Sequence, residues 1–291
     1  MSLELLLQST LSGLLMGAMY ALISIPLAMS FGVMRVLNFA HGELLMCAMY
    51  GAVLLNKHFG MGPYTTILVL APAMGLVGFA LFHGLIKPLL KSSMLMQAQF
   101  TLGLSFVIQS AALLIFGADL FNIRSPVGVA VLTVAGIAIS VPLIIGLAVS
   151  MSICGALAWV LLKTEWGYRV RATAQDPAMA LMCGIPVPRI HAAIFAGGTA
   201  ILGIAAGCLM AFFHVTPHVG VQFSLLSLLI VVLGGLGDLK GTFYAGLLIG
   251  LTESLASALF NSAATPAAVY ILFGVVLLFR PKGLFGRGSV A

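Results

Sequence analysis

The sequence predicts an all-α fold, a polytopic transmembrane helical bundle of about eight to nine spans with broken helices. Three observations predict it. The 291 residues are 62% hydrophobic and only 7% charged, where a soluble domain carries about 25% charged residues. Mean hydropathy is +1.19. Apolar runs near the ~20 residues needed to span a bilayer recur from end to end, so residues 1–291 read as a single integral membrane domain.

Taken in order, the runs place helices near residues 5–33, 43–56, 64–86, 94–117, 139–162, 190–214, 221–234, 242–260 and 266–280. The first begins with MSLELLLQST, where Glu4 stands in place of the basic residues of a signal peptide. It is therefore expected to be a retained span. Two runs, Leu44 to Leu55 and Val221 to Val232, offer 12 residues each, about 18 Å of helix. They are too short to cross unless the neighbouring NFAHGE and GGLGDLKG stretches enter the membrane. Such breaks are tolerated where they are buried in protein or line a cavity.

The basic residues set the expected topology. Arg35, Lys87, Lys91, Lys163, Arg169, Arg171, Arg189, Lys240, Arg280, Lys282 and Arg287 alternate to share one face, leaving Lys57 and Arg124 opposite. The positive-inside rule makes the rich face cytoplasmic, which puts the carboxyl terminus inside and, with nine crossings, the amino terminus outside. Residues 118–138 become the longest external loop, expected as a lid or docking surface. Scattered bases form no patch for nucleic acid, so none is expected as a partner; the lipid bilayer is.

Candidate chemistry is sparse. The four cysteines, Cys47, Cys154, Cys183 and Cys208, show no ligand spacing and are expected to be small buried hydrophobes. His41-Gly42-Glu43 has no P-C-x-x-C to complete a zinc site, so no metal is expected. Gly234, Gly235 and Gly237 sit in GGLGDLKG, which is neither a Walker lysine loop nor a dinucleotide fingerprint. With Gly42, they are expected as helix-break glycines. No nucleophile and base pair stands at credible spacing, so the chain is not expected to be an enzyme. Ionisable and amide groups inside apolar runs are costly and mark pathways or interfaces. Asn38, His41, Glu43, Gln109 and Glu253 are the translocation-pathway candidates, whereas His191 reads as an ordinary interfacial residue.

Between Lys163 and Arg189 lies a short helix with clear signals. Asp176 is its N-cap, Pro177 its first residue, Gly184 its left-handed terminator, and Pro186 prevents resumption. About seven residues of helix are unstable alone, so Met179, Leu181 and Met182 need something to pack against.

The pattern G-x-R-x-R-A-x-A-Q-D-x-x-x-A-x-x-x-G-I, Gly167 through Ile185, resembles the coupling loop of bacterial ABC importer permeases of the branched-chain amino acid (LivH-type) branch. Phe31 to Ala52, Val231 to Gly250 and FRPKGLFGR from Phe279 to Arg287 extend the resemblance over essentially the whole chain. It lacks the fuller EAA-type consensus of other importer classes.

The resemblance implies an ABC importer permease-like fold, with residues 163–189 as the ATPase coupling loop and Arg169, Arg171, Asp176, Ala180 and Gly184 as its key positions. It implies a second homologous permease subunit, two cytoplasmic ATPase subunits carrying ATP and Mg, an extracytoplasmic substrate-binding protein and an amino-acid substrate. No cofactor is expected in this chain, which would sit in the bacterial inner membrane. Two other readings stay open: an ion-coupled secondary transporter using Glu43 and Glu253, and a urea or amide permease of the same importer class.

Overall fold

The structure is a computed structural model, described over residues 3–134, 137–260 and 265–285. Arg287 of the tail motif lies outside the described residues. The helices are α1 (Leu3–Met34), α2 (His41–Phe59), α3 (Ile67–Leu81), α4 (Lys87–Leu89), α5 (Met94–Phe116), α6 (Val141–Lys163), α7 (Glu165–Gln175), α8 (Pro177–Met182), α9 (Val187–Leu209), α10 (Val219–Gly234), α11 (Leu239–Leu259) and α12 (Thr265–Phe279). A π-turn over Phe82–Ile86 joins α3 to α4. Six helical stretches among the described residues are long and apolar enough to cross a membrane, and α10 and α12 are shorter apolar helices. The expected helices are all present.

The two short runs prove longer than their apolar cores. α2 has 19 residues and α10 has 16, because the polar HGE triplet and the Val219–Gly220 pair are themselves helical.

Burial orders the bundle. The side chains of Met19, Leu22, Ile23, Leu45, Met46, Met49, Ile194, Leu202 and Leu209, all on α1, α2 and α9, are fully enclosed. Leu68 and Leu76 of α3, Phe106 and Leu114 of α5 and Met151 of α6 are exposed. In a membrane this apolar exterior faces lipid, and inward and outward faces differ little in hydrophobicity. Helix association then depends on close packing of small residues.

One such seam joins α1 to α11. A Cβ placed on Gly17 would stand 2.7 Å from the Gly246 carbonyl oxygen, and one on Gly250 would stand 2.4 Å from Gly17 Cα. Gly13, Gly17 and Ala21 thus run against Gly246 and Gly250, at four-residue spacing on both helices. Ser254 Oγ donates to the Ser9 carbonyl at 2.7 Å at the far end of the seam.

α1 runs antiparallel to α11, and α3 to α9. Gly32 meets Gly237 at one end of the bundle, and Gly207 meets Pro63 at the other. At the second end, Phe121 and Val215 exchange both backbone hydrogen bonds, at 3.1 and 2.9 Å, and β1 (Val131–Val134) pairs antiparallel with β2 (Ile137–Ser140). The loop expected over 118–138 is therefore partly a hairpin. A cavity of about 620 Å³ lies between its Asn122–Val129 stretch and Met210–His214.

Candidate functional site

Between α1 and α2 the chain leaves helical conformation at Arg35, the one non-glycine with positive φ (55°) among the described residues. The next residues climb back along the bundle. His41 Nε2 lies 2.8 Å from the Ile23 carbonyl, and Ile23 precedes the end of α1 by eleven residues, about 16 Å at 1.5 Å per residue. Because a carbonyl only accepts, Nε2 is the donor. From Arg35 at the helix end, the non-helical backbone up to Ala40 thus climbs to membrane depth, where polar groups need internal partners.

Side chains from two other helices supply those partners. Phe39 N–H donates to Thr101 Oγ1 at 3.2 Å, and Thr101 Oγ1 is 3.2 Å from the Leu37 carbonyl. Ala40 N–H donates to Asn38 Oδ1 at 3.1 Å. Gly42 N–H donates to Ser224 Oγ at 2.8 Å, and Ser224 Oγ lies 3.0 Å from the Phe39 carbonyl and 3.2 Å from Glu43 Oε2. Asn38, His41 and Glu43 are all buried, Glu43 completely. Glu43 Oε1 has no hydrogen-bond partner among the described residues. The three pathway candidates at this break therefore come together as its internal scaffold.

Gly42 is a correction. It lies inside α2 and does not break a helix; a Cβ there would fall 2.0 Å from the Gly220 carbonyl oxygen. Its role is to let α2 touch α10. Gly234 is corrected in the same way, as the last residue of α10 packed on Gly241. Gly235 and Gly237 do form a break, with φ of 110° and 85°. Asp238 then caps α11, its Oδ1 accepting from Gly241 N–H at 2.9 Å. The tail seals this turn, since Leu284 N–H and Phe285 N–H donate to the Leu233 and Gly234 carbonyls at 2.8 and 3.1 Å. That satisfies carbonyls left open at the end of α10.

The other pathway candidates lie apart from the break. Gln109 Nε2 is 2.9 Å from His218 Nδ1, an exposed pair linking α5 to the N-cap of α10. Glu253 of α11 interacts with Tyr20 of α1. Both line a cavity of about 740 Å³ to which Ser9, Ser12, Ser254, Ser257 and Thr265 add hydroxyls, and a second of about 390 Å³ adjoins it. This is the polar opening that a carboxylate in an apolar helix requires. His191 is buried, its Nε2 without a partner among the described residues, where solvation at the interface was expected. Cys47 and Cys183 are exposed, Cys154 is half-buried and Cys208 is buried, so the expected burial holds fully for Cys208 alone.

In the 163–189 loop, Asp176 Oδ1 accepts from Ala178 N–H at 2.9 Å and Met179 N–H at 3.0 Å. At the other end of α8, Ile185 N–H donates to the Ala180 carbonyl and Gly184 N–H to the Leu181 carbonyl, both at 3.0 Å. With Gly184 at φ 79°, this is a Schellman termination. Ala180 faces inward at 4% exposure, whereas Met179, Leu181 and Met182 are open, Met182 at 83%. Arg169 reaches Glu165 at 3.9 Å on an exposed surface. Arg171 turns back onto the bundle, donating to the Leu161 carbonyl and lying 4.6 Å from the Tyr168 ring centre.

Sequence reasoning missed Thr101, Ser224 and Tyr20. Each is a polar residue in an apolar helix, visible as such, but its partner lies on another segment of the chain.

Comparison with known proteins places the chain. A family model described as "Branched-chain amino acid transport system / permease component" matches residues 9–280. The chain is 27% identical to the high-affinity branched-chain amino acid transport system permease protein BraD of Pseudomonas aeruginosa, covering 98% of this chain and 97% of that one. It is 29% identical to the corresponding Escherichia coli protein LivH, covering 98% and 96%. A probable LivH permease of Methanocaldococcus jannaschii is 27% identical over 91% and 88%. A chain of the solved structure "PsaBC from Streptococcus pneumoniae in complex with Fab" shares the fold, with a TM-score of 0.51 at 14% identity over 94% and 92% of the two chains. This multi-pass helical membrane protein thus belongs to the family of branched-chain amino acid transport system permease components.

Proposed function

We propose that this chain is the permease subunit of an ATP-driven ABC importer for branched-chain or related amino acids. It would form the translocation path with a second homologous permease and couple to two cytoplasmic ATPase subunits that hold ATP and Mg. An extracytoplasmic binding protein would deliver the amino acid. The basic end of the bundle faces the cytoplasm of a bacterial inner membrane, which puts the carboxyl terminus inside and the amino terminus outside.

One observation carries this reading. α8 is capped at both ends, and its Met179, Leu181 and Met182 side chains project from the basic end. An isolated six-residue helix is unstable, so this one is held ready for a partner surface. Movement of that partner on ATP hydrolysis would move α8 and, through α7 and α9, the helices around the path. The buried, scaffold-bound setting of Glu43 favours this reading over coupling by an ion.

The test is to co-purify the chain with its partners, reconstitute the complex in liposomes, and measure ATP-dependent uptake of leucine, isoleucine, valine and urea. Uptake of a branched-chain amino acid that stops without ATP supports the proposal. Uptake by this chain alone, abolished by an uncoupler, would replace it with an ion-coupled carrier. Uptake of urea alone would place the protein in the amide branch.

A further inference from the structure

Two clefts at the basic end of the bundle adjoin one another. One, of about 750 Å³, lies between the end of α6, the α10–α11 turn and the tail, and takes its charges from Arg171, Lys240, Lys282 and Asp238. The other, of about 340 Å³, rises between α6 and α11, lined by Ile25, Cys154, Leu157, Phe243 and Tyr244. Ala158, Leu239 and Lys240 border both, so the two form one groove, charged at its foot and apolar above.

The charges come from three segments far apart in sequence. Asp238 is committed to capping α11 through Gly241 N–H, and Arg171 keeps further N–H donors beyond the one on the Leu161 carbonyl. Three cations therefore face one engaged carboxylate. The foot lies where two spans end, at Lys163 of α6 and begin at Leu239 of α11. That is the headgroup level of a bilayer. Tyr244, 53% exposed, lines the groove, as aromatic side chains do at membrane interfaces.

We propose that this groove is a binding site for an anionic phospholipid, its phosphate held by Arg171, Lys240 and Lys282 and an acyl chain lying between α6 and α11. Charge complementarity selects the occupant, because basic pockets between spans on the cytoplasmic side suit anionic headgroups. The apolar upper cleft separates a lipid from free phosphate, which would use only the foot. The proposal needs the chain to be in a membrane and is independent of which solute it transports.

Native mass spectrometry of the full chain, alone and in its assembled transporter, would read lipid retention from micelles doped with phosphatidylglycerol or phosphatidylcholine. Phosphatidylglycerol is expected to be retained preferentially in both preparations. The K240Q/K282Q variant should lose that preference by roughly tenfold or more, given the loss of two basic contacts, while K57Q at the opposite end keeps it. Ala158→Trp, which fills the junction of the clefts, should reduce retention with all cations intact.

Equal retention of the two lipids by the unmodified protein overturns the proposal whatever the variants do. So does displacement by millimolar inorganic phosphate with no effect of Ala158→Trp, which would make the foot a free-anion site. Retention by the lone chain that disappears in the assembled transporter would assign the groove to a partner subunit instead.

Discussion

Ser224 and Glu43, 181 residues apart in sequence, meet at 3.2 Å where α10 crosses the first turn of α2. The Ser224 hydroxyl also lies 3.0 Å from the Phe39 carbonyl, yet it carries one proton and can donate to only one of the two acceptors. A side chain at position 43 that brings its own donor would let both be satisfied. Glu43→Gln should therefore leave stability within about 1 kcal/mol of the parent. Ser224→Ala should lose about 1–3 kcal/mol, the usual cost of orphaning buried polar groups, here the Gly42 N–H and the Phe39 carbonyl. Chemical unfolding in detergent measures this, and a Glu43→Gln loss equal to that of Ser224→Ala would contradict it.

The α1–α11 seam predicts a contrast between glycines. Gly17→Val pushes a side chain into the Gly246 backbone, so it should cost at least the ~1–3 kcal/mol of overpacking and lower the yield of monodisperse protein. Gly103→Ala on α5 meets nothing within 4 Å and should behave as the parent. Size-exclusion profiles and thermal midpoints would separate the two.

Coupling through α8 is best tested at its open face. Met182→Glu changes a side chain that is 83% exposed, so fold and membrane insertion should persist while uptake falls at least several-fold relative to ATP hydrolysis. Asp176→Ala removes the Oδ1 that accepts two capping hydrogen bonds, worth about 1 kcal/mol, and should uncouple partially. Ala180→Arg disturbs a buried position and would report on folding of the loop as much as on coupling. Unchanged uptake in Met182→Glu would remove α8 from the coupling path.

Glu253 and Tyr20 are predicted to act together. If their cavity belongs to the solute path, Glu253→Leu should reduce uptake several-fold with normal expression, and Tyr20→Phe should reduce it less. Transport assays of the two single variants and the double variant would show effects smaller together than their sum, as for residues in contact. Independent effects would leave the two as separate structural residues.

Much of this was readable in the chain. Asp176, Pro177 and Gly184 define α8 because capping acts within one turn, and local signals are what a sequence displays. Gly235 and Gly237 were legible as a break for the same reason. Gly42 and Gly234 were misread as breaks because their purpose is a close approach by another helix, which leaves no local trace. His191 was misplaced because its burial depends on the helices around it.

By itself the sequence determined that the protein is a helical membrane bundle, roughly where its apolar helices lie, and that a capped loop helix projects at the basic end, though not the α7 helix before it. These follow from hydropathy over about 20 residues and from interactions spanning three or four. Only the tertiary structure decided that Arg35 to Ala40 climbs back to the level of Ile23, that Thr101 and Ser224 satisfy its backbone, and that Glu253 opens to a cavity while Glu43 does not. The physical reason is that backbone groups without helical partners at membrane depth must find them on other helices. Those partners become adjacent only when the bundle has packed.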